Sequence, residues 1–335
     1  MKQSHVCVLG EGAWGTAVAT LLAENGYEVR LWCHDPAIAE EIRLQRTNAR
    51  YLPEIVLDQK IKPTTDLREA ICGARWVFEA IPVHHLRELL QKTIICFSPE
   101  QVWVILSKGI EQQTLMVPSQ ILDDVFGYTV QKAVFSGPSF AYDLSRRQPT
   151  AVTLAAIDCA VGLELQVVLA NSYFRPYISR DFLGVQLGGA LKNIFALGVG
   201  ILDGAGFGDN VKAFILTRGL REMELITVAL GGTKETIYGL SGVGDLVMSA
   251  MGGHGRNLLV GRRLGKGYLL ADILQTTGYI PEGINTVQSV HQLLQKKNLQ
   301  APICTGIYHV IFENKPVEHF LQELMAQPLE QECGI

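Results

Sequence analysis

A chain of 335 residues, 48% hydrophobic and 19% charged, is long enough to bury one large core or to divide into two domains. Its formal net charge of −4 supplies no general basic field. Nucleic acid and anionic membrane surfaces are therefore not expected as partners, and any anion site must be built locally.

In chain order, β-rich runs at residues 5–9, 28–33, 75–81, 102–106, 132–136 and 151–154 alternate with helical segments. Such alternation predicts crossover units and a largely parallel, doubly wound sheet. Residues 13–24 are rich in alanine and leucine and stop at Asn25-Gly26, which predicts the first helix. Beyond residue 184 strand signals cease, and helices are predicted over 184–203, 210–230, 257–264, 283–297 and 303–313. Asp209 is the expected N-cap of the second of these, and Ala301-Pro302 the break before the last. The expected organisation is α/β: a Rossmann-like domain over 1–183, followed by an all-α substrate and catalytic domain over 184–335. The last ten residues are expected to fray.

Seven cysteines, Cys7, Cys33, Cys72, Cys96, Cys159, Cys304 and Cys333, are odd in number and form no Cys-x-x-Cys pair. That usage suits reduced thiols, with neither disulfides nor a metal site expected. Met1-Lys2-Gln3-Ser4 leads straight into a strand-like run, without signal-peptide organisation, and no uninterrupted apolar run reaches about 18 residues. A cytoplasmic protein with no membrane insertion is expected.

The first strand runs into Gly10-Glu11-Gly12-Ala13-Trp14-Gly15. In a dinucleotide-binding turn, the first glycine permits the tight bend and the second lets backbone N–H groups reach a pyrophosphate. The third lets helix and strand pack closely. A glycine-rich surface turn explains less, because Gly15 would then weaken an alanine-rich helix without reason. The second strand ends in Trp32-Cys33-His34-Asp35-Pro36. His34 is a donor suited to a 2′-phosphate. Asp35 is an acid suited to ribose hydroxyls, or merely the start of a turn before proline. This favours NADP(H), with NAD(H) as the alternative.

Ligands bind doubly wound sheets outside the carboxyl ends of the strands. Two strands end there in Ser107-Lys108-Gly109 and Gly137-Pro138-Ser139-Phe140-Ala141. Lys108 is either a ligand cation or an exposed loop residue. Gly137 and Ser139 offer an N–H and a hydroxyl, or form an ordinary proline turn. Residues 184–201 are apolar on nearly every face, so Lys192 and Asn193 stand out: a buried ammonium loses pKa and becomes a proton donor or acceptor. The alternative is a lysine that snorkels to water. Gly188, one turn earlier, is expected to leave room for a substrate, and Asp245 in Leu240-Ser241-Gly242-Val243-Gly244-Asp245 is a candidate counter-charge. Gly253-His254-Gly255-Arg256-Asn257 is either a phosphate-binding cluster or a basic surface loop. Glu282 either meets a cofactor hydroxyl or caps a helix.

Together the segments GEGAWGTAVA, LWCHDP, AIPVHHLR, SKGIE, SGPSFA, GVQLGGALKNIFALGVGILDGAGFGDN, TRGLREM, GLSGVGDL, GRN and PEGINT resemble the bacterial type of NAD(P)-dependent glycerol-3-phosphate dehydrogenases. The resemblance implies reversible hydride transfer between a nicotinamide and C2 of dihydroxyacetone phosphate, giving sn-glycerol 3-phosphate for phospholipid synthesis, and a homodimer. It implies Lys192 as the proton donor or acceptor, beside Asp245 and Asn193. Substrate contacts would fall to Lys108, Gly137, Ser139, Gly255, Arg256 and Asn257. Cofactor contacts would fall to Gly10, Gly12, Trp14, Gly15, His34, Lys108, Ala141, Arg256 and Glu282. Gly255 stands where the family usually has serine or threonine, which removes one hydroxyl contact worth about 1 kcal/mol. Rival readings are a 3-hydroxyacid or 6-phosphogluconate type of dehydrogenase and a non-catalytic NADP(H)-binding sensor. The GGALKN and GLSGVGDL blocks oppose the first, and the presence of both Lys192 and Asp245 opposes the second.

Overall fold

The computed structural model describes residues 5–253 and 255–328. His254, Cys333 and the C-terminal stretch 329–335, on which most of the expected fraying falls, lie outside the described residues. The first half alternates β1 (Val6–Leu9), α1 (Ala13–Glu24), β2 (Val29–Trp32), α2 (Pro36–Gln45), β3 (Ile61–Thr64), α3 (Leu67–Ile71), β4 (Trp76–Glu79) and α4 (Val83–Thr93). It continues with β5 (Val102–Ile105), α5 (Pro118–Phe126), β6 (Gln131–Ser136), α6 (Ala141–Ser145), β7 (Thr150–Ala156), α7 (Cys159–Leu169) and β8 (Phe174–Ser179).

The eight strands lie in the order β3-β2-β1-β4-β5-β6-β7-β8. All neighbouring pairs are parallel except β6 and β7. The order reverses beside β1, so a crevice opens at the carboxyl ends of β1 and β4. Two strands, β3 and β8, were not among the six expected. Each forms an edge of the sheet and each contains a proline, Pro63 or Pro176. Proline lacks the N–H that a central strand must donate, so it is tolerated at an edge and hides the strand from pattern reading.

The sheet ends at Ser179, and α8 (Phe182–Gly204) begins a run of helices. These are α9 (Asp209–Ala229), α10 (Lys234–Ile237), a π-helical turn (Leu240–Gly244), α11 (Asp245–Met251) and α12 (Arg256–Gly265). After them come α13 (Leu270–Thr277), α14 (Glu282–Lys297), α15 (Pro302–Phe312) and α16 (Val317–Met325). Asp209 is not the N-cap of α9. Gly208 holds that place in an extended conformation, and the Asp209 carboxylate pairs instead with Lys212 at 2.8 Å.

By length and composition α8 could span a bilayer, yet its apolar window is wholly buried inside the protein. It is the axis of the helical half, and Leu187, Leu191, Ile194, Phe195, Leu197 and Ile201 enter its main core. Against α12 the approach is backbone to backbone. A Cβ at Gly200 would lie 2.3 Å from the Leu258 carbonyl oxygen, one at Gly204 2.1 Å from that of Arg262, and one at Gly261 2.3 Å from that of Leu197. Interiors at this density do not yield to an added methyl group without backbone movement. Gly261→Ala is therefore expected to destabilise the protein by about 1–3 kcal/mol, read as a lower urea midpoint with an unchanged slope.

Candidate active site

The glycine turn joins β1 to α1. Gly10 has φ +108°, a left-handed value that glycine adopts freely, and a Cβ there would lie 2.9 Å from the Ala80 carbonyl oxygen. A Cβ at Gly15 would lie 2.0 Å from the Gly10 carbonyl oxygen and 3.3 Å from Ala80 Cβ. These two glycines let α1 close onto the ends of β1 and β4. Gly12 differs: it is the N-cap of α1, no side chain caps the helix, and a Cβ would meet nothing within 4 Å. A helix N-terminus with bare backbone fits an anion such as a pyrophosphate. Trp14 packs edge-on against Phe135 of β6, with ring centroids 5.9 Å apart, which anchors the first turn of α1 to the sheet.

At the end of β2, Asp35 is the N-cap of α2 and accepts a hydrogen bond from the Ala37 N–H at 2.9 Å. Its carboxylate also meets Arg50 at 3.4 Å. Asp35 thus begins α2, at the turn before Pro36. His34 is exposed, with its ring 6.1 Å from that of Trp32.

The second part of the site is a chain of charges across the halves of the molecule. Lys192 on α8 is 7% exposed and does not snorkel to water. Its Nζ lies 2.8 Å from Asp245 Oδ1 and donates to Ser249 Oγ at 2.6 Å. The other oxygen of Asp245 is paired with Lys108, which also reaches the Gly137 carbonyl at 3.4 Å. Asp245 itself is fully buried. Burial pulls the Lys192 pKa down to about 8; Asp245 opposes the fall, and Lys108 and Arg256 assist it. Burial alone would raise the Asp245 pKa, but the two ammonium groups hold its carboxyl below the usual range.

Glycines on α8 fit these groups together. A Cβ at Gly189 would lie 2.6 Å from Ser136 Oγ and 3.4 Å from the Lys108 stem, so the absence of a side chain admits Lys108 against the helix. Gly188 leaves no room for a substrate, contrary to expectation. The backbone of the π-helical turn lies there, and a Cβ would be 2.8 Å from the Ser241 carbonyl oxygen. That packing delivers Asp245, the residue after the turn, to Lys192. Asn193 Oδ1 accepts from Asn257 Nδ2 at 2.8 Å, and Asn257 Oδ1 accepts from the Gly283 N–H at 3.0 Å, which ties α8, α12 and α14.

Arg256 opens α12, is exposed, and sits 5.6 Å from the centroid of the Tyr279 ring. Among the described residues no carboxylate lies within ion-pair distance of it. Gly255 is the N-cap of α12, and a Cβ there would lie 2.9 Å from the Ser249 carbonyl oxygen, so a larger residue would require movement. Glu282 caps a helix, but not its own: its Oε1 accepts from the Val83 N–H at the start of α4 at 3.2 Å. Burial lifts its pKa to about 7 against the opposing pull of that N–H and Arg256. Ser139 Oγ turns back on the Gly137 carbonyl at 3.1 Å, and Ala141 starts α6.

Three residues of this region do not stand out in the sequence. Ser249 stands one turn after Asp245 on α11, a spacing that places both side chains on one face. Glu79 ends the apolar strand β4. It is fully buried, accepts from the Ser107 hydroxyl at 2.7 Å, and is pushed by burial to about 8. Glu11 sits inside the glycine turn, 7% exposed, and its carboxylate oxygens accept from the His34 and Asp35 N–H groups at 3.0 Å each.

A doubly wound sheet, a glycine turn at its switch point and a buried lysine–carboxylate pair with Lys108 at the end of β5 fit a nucleotide-dependent oxidoreductase. Comparison with known proteins narrows the class. The model of the NAD-dependent glycerol-3-phosphate dehydrogenase N-terminus matches residues 5–161, and that of the C-terminus residues 181–322. The chain belongs to this family. It is 40% identical over 324 residues to the glycerol-3-phosphate dehydrogenase [NAD(P)+] of Bacillus subtilis (strain 168), covering 96% of this chain and 94% of that one. It is 40% identical over 328 residues to the enzyme of the same name from Solidesulfovibrio magneticus, covering 98% and 99%. The crystal structure of glycerol-3-phosphate dehydrogenase from Coxiella burnetii superposes with a TM-score of 0.93 at 31% identity, covering 97% of this chain and 99% of that one.

The linked charges carry a stability consequence. Asp245→Asn leaves two ammonium groups without their shared counter-charge, and a loss of about 3 kcal/mol at pH 7 is expected from urea unfolding. Lys192 releases its proton near pH 8 in the fold but near 10.5 as an ordinary lysine. The unfolded chain therefore binds more protons between these values, and this residue's contribution to stability rises with pH across that window.

Proposed function

We propose that this protein catalyses the reversible reduction of dihydroxyacetone phosphate to sn-glycerol 3-phosphate, with one hydride and one proton added to the C2 carbonyl. The product would supply phospholipid synthesis, in the cytoplasm. The observation that carries the reading is the buried Lys192–Asp245 pair beside Lys108 on the rim that also bears the glycine turn. We take residues 1–183 as the dinucleotide-binding part and 184–335 as the substrate and catalytic part, in an enzyme that acts as a homodimer.

Gly10, Gly12 and Gly15 would hold the dinucleotide pyrophosphate at the start of α1, with Trp14, His34, Ala141 and Glu282 along its length. The nicotinamide, when bound, supplies or accepts the hydride. Lys192 as its ammonium gives a proton to the C2 oxygen during reduction; as a neutral amine it takes that proton back during oxidation. Asp245 and Ser249 hold the Lys192 nitrogen in place, and Asp245 keeps the ammonium accessible at neutral pH despite its burial. Asn193 is fixed by Asn257, and the two would orient substrate hydroxyls. Arg256, which has no carboxylate partner among the described residues, would bind the phosphate, with Lys108, Gly137, Ser139 and the backbone of Gly255 around the substrate.

The direct test is oxidation of NADH and NADPH at 340 nm with dihydroxyacetone phosphate, against unphosphorylated dihydroxyacetone. Oxidation that requires the phosphate is expected; none with either nucleotide would refute the reading. Lys192→Met should lower kcat by about 10²–10⁴-fold with the nucleotide Kd unchanged by fluorescence titration. The wild-type kcat should fall as pH rises through about 8 in the reducing direction and climb through the same range in the oxidising direction. Arg256→Ala should raise the substrate KM about 10- to 100-fold, the scale of one charge-assisted hydrogen bond.

A further inference from the structure

The relatives' names leave open which nicotinamide nucleotide each prefers, since both carry the label [NAD(P)+]. The end of β2 is where a doubly wound domain distinguishes them. An acid there favours the free ribose 2′-hydroxyl, and donors or cations there accept a 2′-phosphate. Read along the sequence, His34 speaks for the phosphate. The folded chain adds Glu11, which arrives at the same place from the glycine turn.

The Glu11 side chain is almost enclosed, and its two oxygens accept from consecutive backbone N–H groups, His34 and Asp35, at 3.0 Å each. Two successive amides offer an anion a pair of donors. Here both are already taken by a carboxylate of the protein. The residue is also held through its backbone. The Glu11 carbonyl accepts from Thr16 Oγ1 at 2.9 Å and from Asn48 Nδ2 at 2.8 Å, and Asn48 is fully buried. The carboxylate is thus a fixed charge, not a mobile surface one. The arginine that reaches this end of β2, Arg50, is paired with Asp35 at 3.4 Å.

We propose that Glu11 is a specificity-determining residue that sets this enzyme to bind NAD(H) in preference to NADP(H). It occupies the two backbone donors that a 2′-phosphate would use and places a like charge beside that phosphate. The inference rests on the dinucleotide site proposed above. An acid commonly discriminates from the end of the second strand; in this chain the acid comes from the first turn, while Asp35 is spent on capping α2.

The test is equilibrium binding without substrate. Dissociation constants of NADH, NADPH, ADP-ribose and 2′-phospho-ADP-ribose are measured by calorimetry for the wild type, Glu11→Gln and Glu11→Ala, each checked for folding by circular dichroism. The wild type should bind NADH at least about tenfold tighter than NADPH, the order of one like-charge contact near a surface. The ADP-ribose pair should show the same ratio, and the ratio should shrink as salt screens the charges. Both variants should reduce the ratio about tenfold, mainly by tighter binding of the phosphorylated ligands. Glu11→Gln removes the charge at nearly constant size but keeps one acceptor oxygen where Glu11 has two, and Glu11→Ala removes both, so a charge effect appears equally in the two variants while an effect of the freed N–H groups grows from Gln to Ala. A wild type that binds NADPH as tightly as NADH, or variants that leave the ratio unchanged, would overturn the role of Glu11. Failure of the wild type to bind either nucleotide would overturn the underlying dinucleotide site instead. If both variants misfold, the wild-type ratio and its salt dependence decide the matter.

Discussion

The arrangement turns on one unfavourable act, the burial of the Lys192 ammonium in an apolar helix. Such a charge is tolerated only with a partner and hydrogen bonds in place. Asp245 and Ser249 provide them from α11, and Lys108 joins from the loop after β5. Each half of the molecule therefore contributes to a single charge balance. The sheet half cannot complete the site without the carboxylate of the helical half, and that carboxylate would be strongly disfavoured without both lysines. A chain of this kind can tune a proton donor because its pKa is set by competition between burial and a nearby counter-charge.

The glycines serve that balance through packing, at two distinct places. At Gly188 and Gly189 the missing side chains admit the π-helical turn and the Lys108 stem, which brings all three charged groups to one point on α8. At Gly200 and Gly204 they admit α12, whose N-terminus carries Arg256 and Asn257. π-helical turns recur at functional sites, and here the irregular turn ends on Asp245 itself. The site is therefore built from close backbone approach, which sequence displays only as a scatter of glycines.

Much of this was legible in the residues. The alternation of β-rich and helical runs, the switch to helices and the anomaly of a lysine in an apolar helix all depend on local pattern, and local pattern survives folding. Pro63 and Pro176 hid the two edge strands because proline contradicts a strand everywhere except at an edge, and edge position is not a local property. Gly188 misleads for a similar reason: a missing side chain signals space, but only the tertiary arrangement shows that backbone fills it. Glu282 reads in sequence as a cofactor contact or a cap, and the helix end that it meets in the fold lies nearly 200 positions earlier in the chain, at Val83. Glu11 escaped notice because a glycine turn draws attention to its glycines, while its donors are backbone N–H groups that every sequence contains.

Charge is distributed oppositely along the rim of the sheet, and that asymmetry follows from where each element ends. Carboxylates gather at the β2 end, where Glu11 accepts from the His34 and Asp35 N–H groups and Asp35 caps α2. Cations gather beyond β5, where Lys108 and Lys192 outnumber Asp245 and Arg256 stands without a paired carboxylate among the described residues. This distribution makes the second end the more favourable one for a phosphate, even though the net charge of the whole chain is only −4. Local placement thus achieves what the overall composition does not. On the proposed function, a chain with no general affinity for anions would hold its phosphorylated substrate at the second end, and the Glu11 carboxylate inside the glycine turn would bar a 2′-phosphate from the first.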